Sequence, residues 1–223
     1  MSHQPRFEPR ADTRTEHVMW QVPVWPVDPT TVLRGELVEL SVSKLADAPE
    51  LFVALNSDSV WQHVAGRPRT VEDMEKLISF KLDEATWNPW TVRLIKDYKG
   101  IAAGSIVGTT SYLETFPSEG RTEIGSTTYA PEVWGSLVNP ECKLLLLQFA
   151  FESMLMSRVQ LKTDIRNQRS QQAIARLGAS FEGVLRLYQR RQDGTMRDTV
   201  LFSIIKDEWP EVRERLQERL KAE

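Results

Sequence analysis

The stretch that decides the fold is Trp134-Gly135-Ser136-Leu137-Val138-Asn139-Pro140, which leads into Glu141-Cys142-Lys143-Leu144-Leu145-Leu146-Leu147-Gln148-Phe149-Ala150-Phe151-Glu152. Residues 141–156 read as a helix that is apolar almost all round, with Glu141, Gln148 and Glu152 forming one narrow polar stripe. A helix of that kind must be buried against a sheet. Asn139 is placed to cap it, and Pro140 suits a first turn where a missing N–H costs little. A loop ahead of a helix N-terminus offers successive backbone N–H groups and the positive end of the helix dipole, which together suit an anion. Taken alone, the stretch is read first as a capped helix start without a ligand.

On its N-terminal side, residues 33–40 and 122–129 read as strands, and 91–96 with 105–113 as a hairpin turned by residues 97–100. Asp47 and Glu50 have capping-box spacing for a short helix over 47–55. Thr70 and Asp73 open the next helix, whose buried face is expected at Met74, Leu77, Ile78 and Leu82. On the C-terminal side follow a strand over 159–164 and a helix over 168–177 stopped by Gly178. Strands over 181–190 and 197–205 turn at Asp193-Gly194, and an amphipathic helix closes the chain. The expectation is an α/β domain over residues 31–223 with a mixed, largely antiparallel central sheet flanked by helices. Residues 1–30 are proline-punctuated and aperiodic, an extended arm. Trp20 and Trp25 within it are costly to leave in water, so the arm is expected to lie along the domain or along a partner subunit, which leaves a homodimer open.

Composition narrows the partners. The 223 residues are 41% hydrophobic and 26% charged, with a formal net charge of −3 and a pI near 5.8. Such a chain has no overall positive excess for a nucleic-acid backbone or an anionic membrane. Its apolar runs are too short to span a bilayer and no leader is visible, so a cytoplasmic location is expected. His3, His17 and His63 fall at no metal-ligand spacing, and no metal is expected. The single Cys142 excludes an internal disulfide and is read as a small buried apolar group.

Three further segments, in order and separation, carry a resemblance. They are Glu123-Ile124-Gly125 ahead of the decisive loop, Asn167-x-x-Ser170-x-x-Ala173 running on to Leu177-Gly178-Ala179-x-Phe181-Glu182-Gly183, and Arg197-Asp198-Thr199. With the loop they resemble the GNAT superfamily of acetyltransferases, in its RimJ/RimL-like (ribosomal-protein N-acetyltransferase-like) branch, over roughly residues 33–209. The resemblance implies an acyltransferase moving an acetyl group from acetyl-CoA directly to a primary amine, on a protein N-terminus or a small molecule. It places Trp134, Gly135, Ser136, Leu137, Val138 and Asn139 on the pyrophosphate, Asn167 on the pantetheine, and Ser170 beside the cofactor sulfur. Glu123 takes the place of a general base, and amides around residues 126–129 that of carbonyl polarisers. Trp61 and His63, in the connection between the first two helices, take the acceptor side, with His63 as a second base candidate. Lys143, Arg166 and Arg169 are individually read as solvated charges, the nucleotide phosphates being the functional alternative.

Three departures qualify the resemblance. Leu137 stands where a glycine is usual, and strains the loop by about 1 kcal/mol or more if its φ is positive. Ile174 occupies the place of a tyrosine acid, and Gln189 that of a glutamate in the penultimate strand. Tyr188 beside it is expected, by strand alternation, to face the other side. These departures keep open a non-catalytic coenzyme A-binding or protein-interaction module. Dinucleotide oxidoreductase and P-loop phosphotransferase chemistry are disfavoured, because neither glycine-rich signature occurs.

Overall fold

The computed structural model describes residues 8–12 and 19–222. Expectations for the rest of the arm, His3 and His17 included, lie outside the described residues. The elements run β1 (Val32–Arg34), β2 (Val38–Val42), α1 (Ala48–Leu55), α2 (Asp58–Trp61), α3 (Val71–Asp83), β3 (Asn88–Leu94), β4 (Ile106–Phe116) and β5 (Arg121–Tyr129). Then come α4 (Val138–Gln148), β6 (Arg158–Asp164), α5 (Gln168–Ala175), β7 (Ser180–Arg190), β8 (Met196–Ile205) and α6 (Trp209–Lys221). The strands form one sheet in the order β1-β2-β3-β4-β5-β6-β8-β7. All its neighbours are antiparallel except β5 and β6, so the sheet is mixed and largely antiparallel, as expected.

Helices α1 to α3 gather around one core cluster at Leu51, Leu55, Trp61, Met74 and Ile78. Helices α4 and α6 join the larger cluster with Trp90, Tyr112, Leu146, Leu147 and Trp209. Trp90 is fully buried, edge-on to Tyr112 and Phe149. The apolar helix read from the decisive stretch is α4, continued by a π-helical turn at Phe149–Ser153.

Several local expectations are corrected. Residues 33–40 form two strands, not one. The turn is set by Glu141, whose carboxylate accepts from the N–H groups of Glu36, Leu37 and Val38 at 2.8–2.9 Å. A Cβ on Gly35 would come within 2.6 Å of that carboxyl carbon, so only glycine fits beneath it. Asn139 does not cap α4. The helix begins earlier, and the Ser136 hydroxyl accepts from the Val138 N–H at 3.3 Å. Asp47 and Glu50 make no capping box, because Asp47 already has helical backbone. Its carboxylate instead accepts from the Lys44 N–H and the Thr91 hydroxyl. Thr70 does cap α3. Leu82, however, is 42% exposed while Lys81 is buried, because at 100° per residue Lys81 lies about 20° from Met74 around the helix and Leu82 about 80°.

Residues 19–31 run along the domain. The Val24 N–H donates to Met154, the Trp25 indole donates to the Ala85 carbonyl at 2.9 Å, and Val27 enters the core. Trp20 stays 47% exposed.

What positions the site is the failure of β5 and β6 to stay paired. They pair only from Arg121↔Arg158 to Glu123↔Gln160. Beyond that, β5 carries an extra residue against β4, between the pairs Ser111↔Gly125 and Thr109↔Thr128, with Ser126 at φ +47. A bulge bends its strand, and here β5 leaves β6 and opens a cleft.

Candidate active site

A cavity of about 320 Å³ lies in this cleft, between β5 and β6, the loop before α4 and the first turn of α5. Trp134, Gly135, Ser136, Asn139, Asn167 and Ser170 line it together. Leu137 and Val138 do not: Val138 is buried in the core and Leu137 packs against it. Leu137 has φ −73, so the strain considered for it is absent. The left-handed position of the loop is Gly135, at φ +66. The backbone N–H groups of Gly135, Ser136, Leu137 and Asn139 have no partner among the described residues. Asn167 caps α5, its Oδ1 accepting from the Ser170 N–H at 3.0 Å. Arg169 stacks on the Trp134 ring at 3.9 Å across the cavity mouth.

Lys143 is not the solvated charge expected. It is buried on the cavity wall, donates to Thr127 Oγ1 at 3.0 Å, and is pulled down to about 8 by burial. Cys142 is buried as expected, its thiol pushed up to about 12 by burial.

A second cavity of about 760 Å³ adjoins the first and shares Val64, Ser126 and Lys162 with it. Glu123, Trp61 and His63 line this wider space. Glu123 is 4% exposed, with Lys162 Nζ at 2.9 Å and Gln160 Nε2 at 3.2 Å from its carboxylate. Burial raises the Glu123 carboxyl above its ordinary value, and Lys162 only partly offsets this. Lys162 also donates to Glu114 at 2.8 Å and to the Tyr188 hydroxyl at 3.1 Å. Burial works against its charge, but the two carboxylates hold its ammonium above the usual lysine range. Trp61 is largely spent on the core, its indole N–H donating to Leu55. His63 is held below its ordinary value by burial first and by Arg169, Arg191 and Arg197, against Asp164, which leaves a neutral imidazole near pH 7.

A profile of the acetyltransferase (GNAT) domain family matches residues 38–180. The chain belongs to the GNAT acetyltransferase family. It is 26% identical over 167 residues to the uncharacterized N-acetyltransferase YoaA of Bacillus subtilis, covering 72% of this chain and 88% of that one. A crystal structure from T. thermophilus, assigned as an acetyltransferase, is 34% identical, with a TM-score of 0.77 over 88% of this chain and 100% of that one. RimJ of Mycobacterium smegmatis, solved in complex with CoA-disulfide, is 22% identical, with a TM-score of 0.71 over 86% of this chain and 95% of that one. That last likeness is one of fold.

In this GNAT domain the wide-cavity residues that sequence reasoning missed come from β6, β7 and β8. Tyr188 faces the wide cavity beside Gln189, against expectation. The cause is an irregularity in β7: Leu185 pairs with Thr199 and Gln189 with Arg197, and Leu187 between them sits at φ +49. Alternation is lost across it. Lys162 was readable in principle, because Gln160, Lys162 and Asp164 alternate with Leu161 and Thr163 and put a polar row on one face of β6. Asp164 is clamped by Arg191 through hydrogen bonds of 2.6 and 2.8 Å, which hold its carboxyl down to about 2. Arg166 faces this cavity and lies 3.8 Å from Asp193, away from the narrow one. Among the described residues no group of His, Cys, Asp and Glu could hold a metal, and no helix is long and apolar enough to cross a membrane.

Proposed function

We propose that this GNAT enzyme acetylates a primary amine directly from acetyl-CoA, as a RimJ/RimL-like N-acetyltransferase acting on a protein N-terminus or a small molecule. The observation that carries this reading is the meeting of the two cavities at Ser126 and Lys162, next to the buried Glu123. The residues present fit the cofactor: unpartnered amides before α4 suit a pyrophosphate, and Lys143 and Arg169 add positive charge on the same cavity. When bound, acetyl-CoA supplies the thioester carbon that the amine attacks. Glu123 takes the proton of the ammonium, and its raised carboxyl value brings it nearer the pH at which a base is effective. The edge of β5 beyond Glu123, free of a β6 partner, offers N–H groups to the developing oxyanion. The Ser170 hydroxyl protonates or hydrogen-bonds the departing thiolate, in the absence of a tyrosine at Ile174. The non-catalytic reading keeps Ile174 and Gln189 as its support but loses Leu137, whose φ is negative.

Calorimetry with acetyl-CoA, followed by mass spectrometry of peptide and amine panels, tests the proposal. Saturable binding with acetylation of at least one panel member is expected. Binding without turnover returns the non-catalytic module, and no binding at millimolar cofactor ends both readings.

A further inference from the structure

Arg197, the second residue of β8, lines the wide cavity opposite Gln189. Of the other cations there, Arg190 is exposed and the rest are engaged. Lys162 is held by Glu114 and Glu123, Arg191 by Asp164, and Arg166 approaches Asp193. Arg197 makes no ion pair among the described residues, and its Nε is buried without an acceptor. Asp164 and Glu123 are close enough for their charge to act on it, yet both carboxylates are already engaged. Two residues along β8, on the same face, the fully buried Thr199 hydroxyl also lacks a partner. Arg197 is half-buried, so a guanidinium whose Nε is out of water and without an acceptor is a standing cost to the fold, and burial lowers Arg197 from its ordinary value accordingly.

We propose that Arg197 binds an oxyanion carried by the acceptor, so that the acceptor is an amine that also bears a carboxylate or a phosphate. The inference rests on the acetyl-transfer reading for the amine, but not for the anion. The planar fork of a guanidinium matches both oxyanions. The cavity would then hold the acceptor at two points, its anion at Arg197 and its amine towards Glu123 and Ser126, where the narrow cavity opens.

The test uses acceptor pairs that differ only in the anion: dipeptides against their C-terminal amides, and phosphoethanolamine against ethanolamine. Initial rates with acetyl-CoA should favour the acidic member of one pair, and which pair responds identifies the source of the anion. In Arg197→Gln that preference should fall by roughly ten- to hundred-fold, as for loss of a charged hydrogen bond, through KM for the acceptor. Arg197→Lys should keep part of it, and both variants are checked by melting curve and CoA affinity. Equal use of acidic and neutral members by the wild type, or a loss in Arg197→Gln that falls equally on both, overturns the proposal. If nothing is acetylated, calorimetry of the acids against the CoA-bound protein separates the cases. Acid binding abolished in Arg197→Gln keeps the anion site while the transfer reading falls, and absence of acid binding to the wild type overturns the anion site itself.

Discussion

The narrow cavity combines uncharged residues of β5, the loop before α4 and the start of α5 with a few cations such as Lys143 and Arg169, whereas the wide cavity is walled mainly by charged side chains of β4 to β8. Contacts made by the loop's N–H groups depend on dihedral angles and little on pH, so pH reaches the narrow cavity chiefly through Lys143. A site made of paired charges depends on which partner is present and on its protonation. The two halves of this enzyme should therefore fail in different ways, and the largest failure is expected where they meet. Glu123→Gln keeps the side-chain shape but cannot accept a proton, so kcat should fall by roughly 100-fold or more and the acidic limb of the pH–rate profile should disappear. Coenzyme A affinity should hardly move. A variant with wild-type rate and pH dependence would transfer the role of base to His63.

The backbone-built half is broken at Gly135. Nothing lies within 4 Å of a Cβ added there, but φ is +66, so Gly135→Ala costs strain of about 1 kcal/mol with no clash. Acetyl-CoA should bind roughly five- to tenfold more weakly if the loop relaxes away from that conformation. Leu137→Gly is the contrasting change. With φ −73 the leucine is unstrained, so glycine should bring no gain in affinity and some loss of melting temperature from lost packing. Tighter cofactor binding by Leu137→Gly would show that the side chain, not the dihedral, obstructs the phosphates.

This contrast also explains what the sequence could disclose. The order of elements was legible, because turns and a buried helix leave local signatures. In the narrow cavity, Trp134 to Ser136, Asn139, Asn167 and Ser170 are named only through the resemblance, which also names Leu137 and Val138 outside the lining, and the buried Lys143 reads locally as solvated. The wide site was mostly illegible, because its residues meet through the sheet order β5-β6-β8-β7, which joins positions far apart in the chain. Glu123 could be named, but its ion pair with Lys162 could not. The irregularities at Ser126 and Leu187 place non-glycine residues at positive φ, against local propensity. The alternation that should have revealed Tyr188 pointed the wrong way for that reason.

Asp164 and Arg191 give a smaller, pH-dependent test of the charged half. The Asp164 carboxyl is held at about 2 against an ordinary 3.8. Its contribution to stability is therefore present above the ordinary value and is lost as pH falls from 3.8 towards 2. Asp164→Asn should melt lower at neutral pH, where Arg191 loses its partner, and its melting temperature should decline less steeply across that acid window. Parallel wild-type and variant curves from pH 5 to pH 2 would remove the pair from the account.

The smallest expected effect is the most diagnostic of the narrow cavity, because Lys143 is a buried lysine in its wall whose amine burial holds low. Its ammonium is held at about 8 against an ordinary 10.5 by burial, so between those values the unfolded chain binds the proton and the folded one does not. Stability should consequently rise with pH across that window. Lys143→Met should be more stable than the wild type at pH 7 and should lose part of the rise, while Lys81, also held at about 8 by burial, keeps its own share. An anionic cofactor in the cavity favours the charged form, so above pH 8 acetyl-CoA binding should draw in a proton. Calorimetry in buffers of different ionisation enthalpy reads that uptake directly. It should be present in the wild type at pH 8.5 and absent in Lys143→Met, with affinity reduced a few-fold. Equal proton uptake in both proteins would assign the uptake to a titrating group other than Lys143, and would leave Lys143 as a packing residue whose amine the fold merely tolerates.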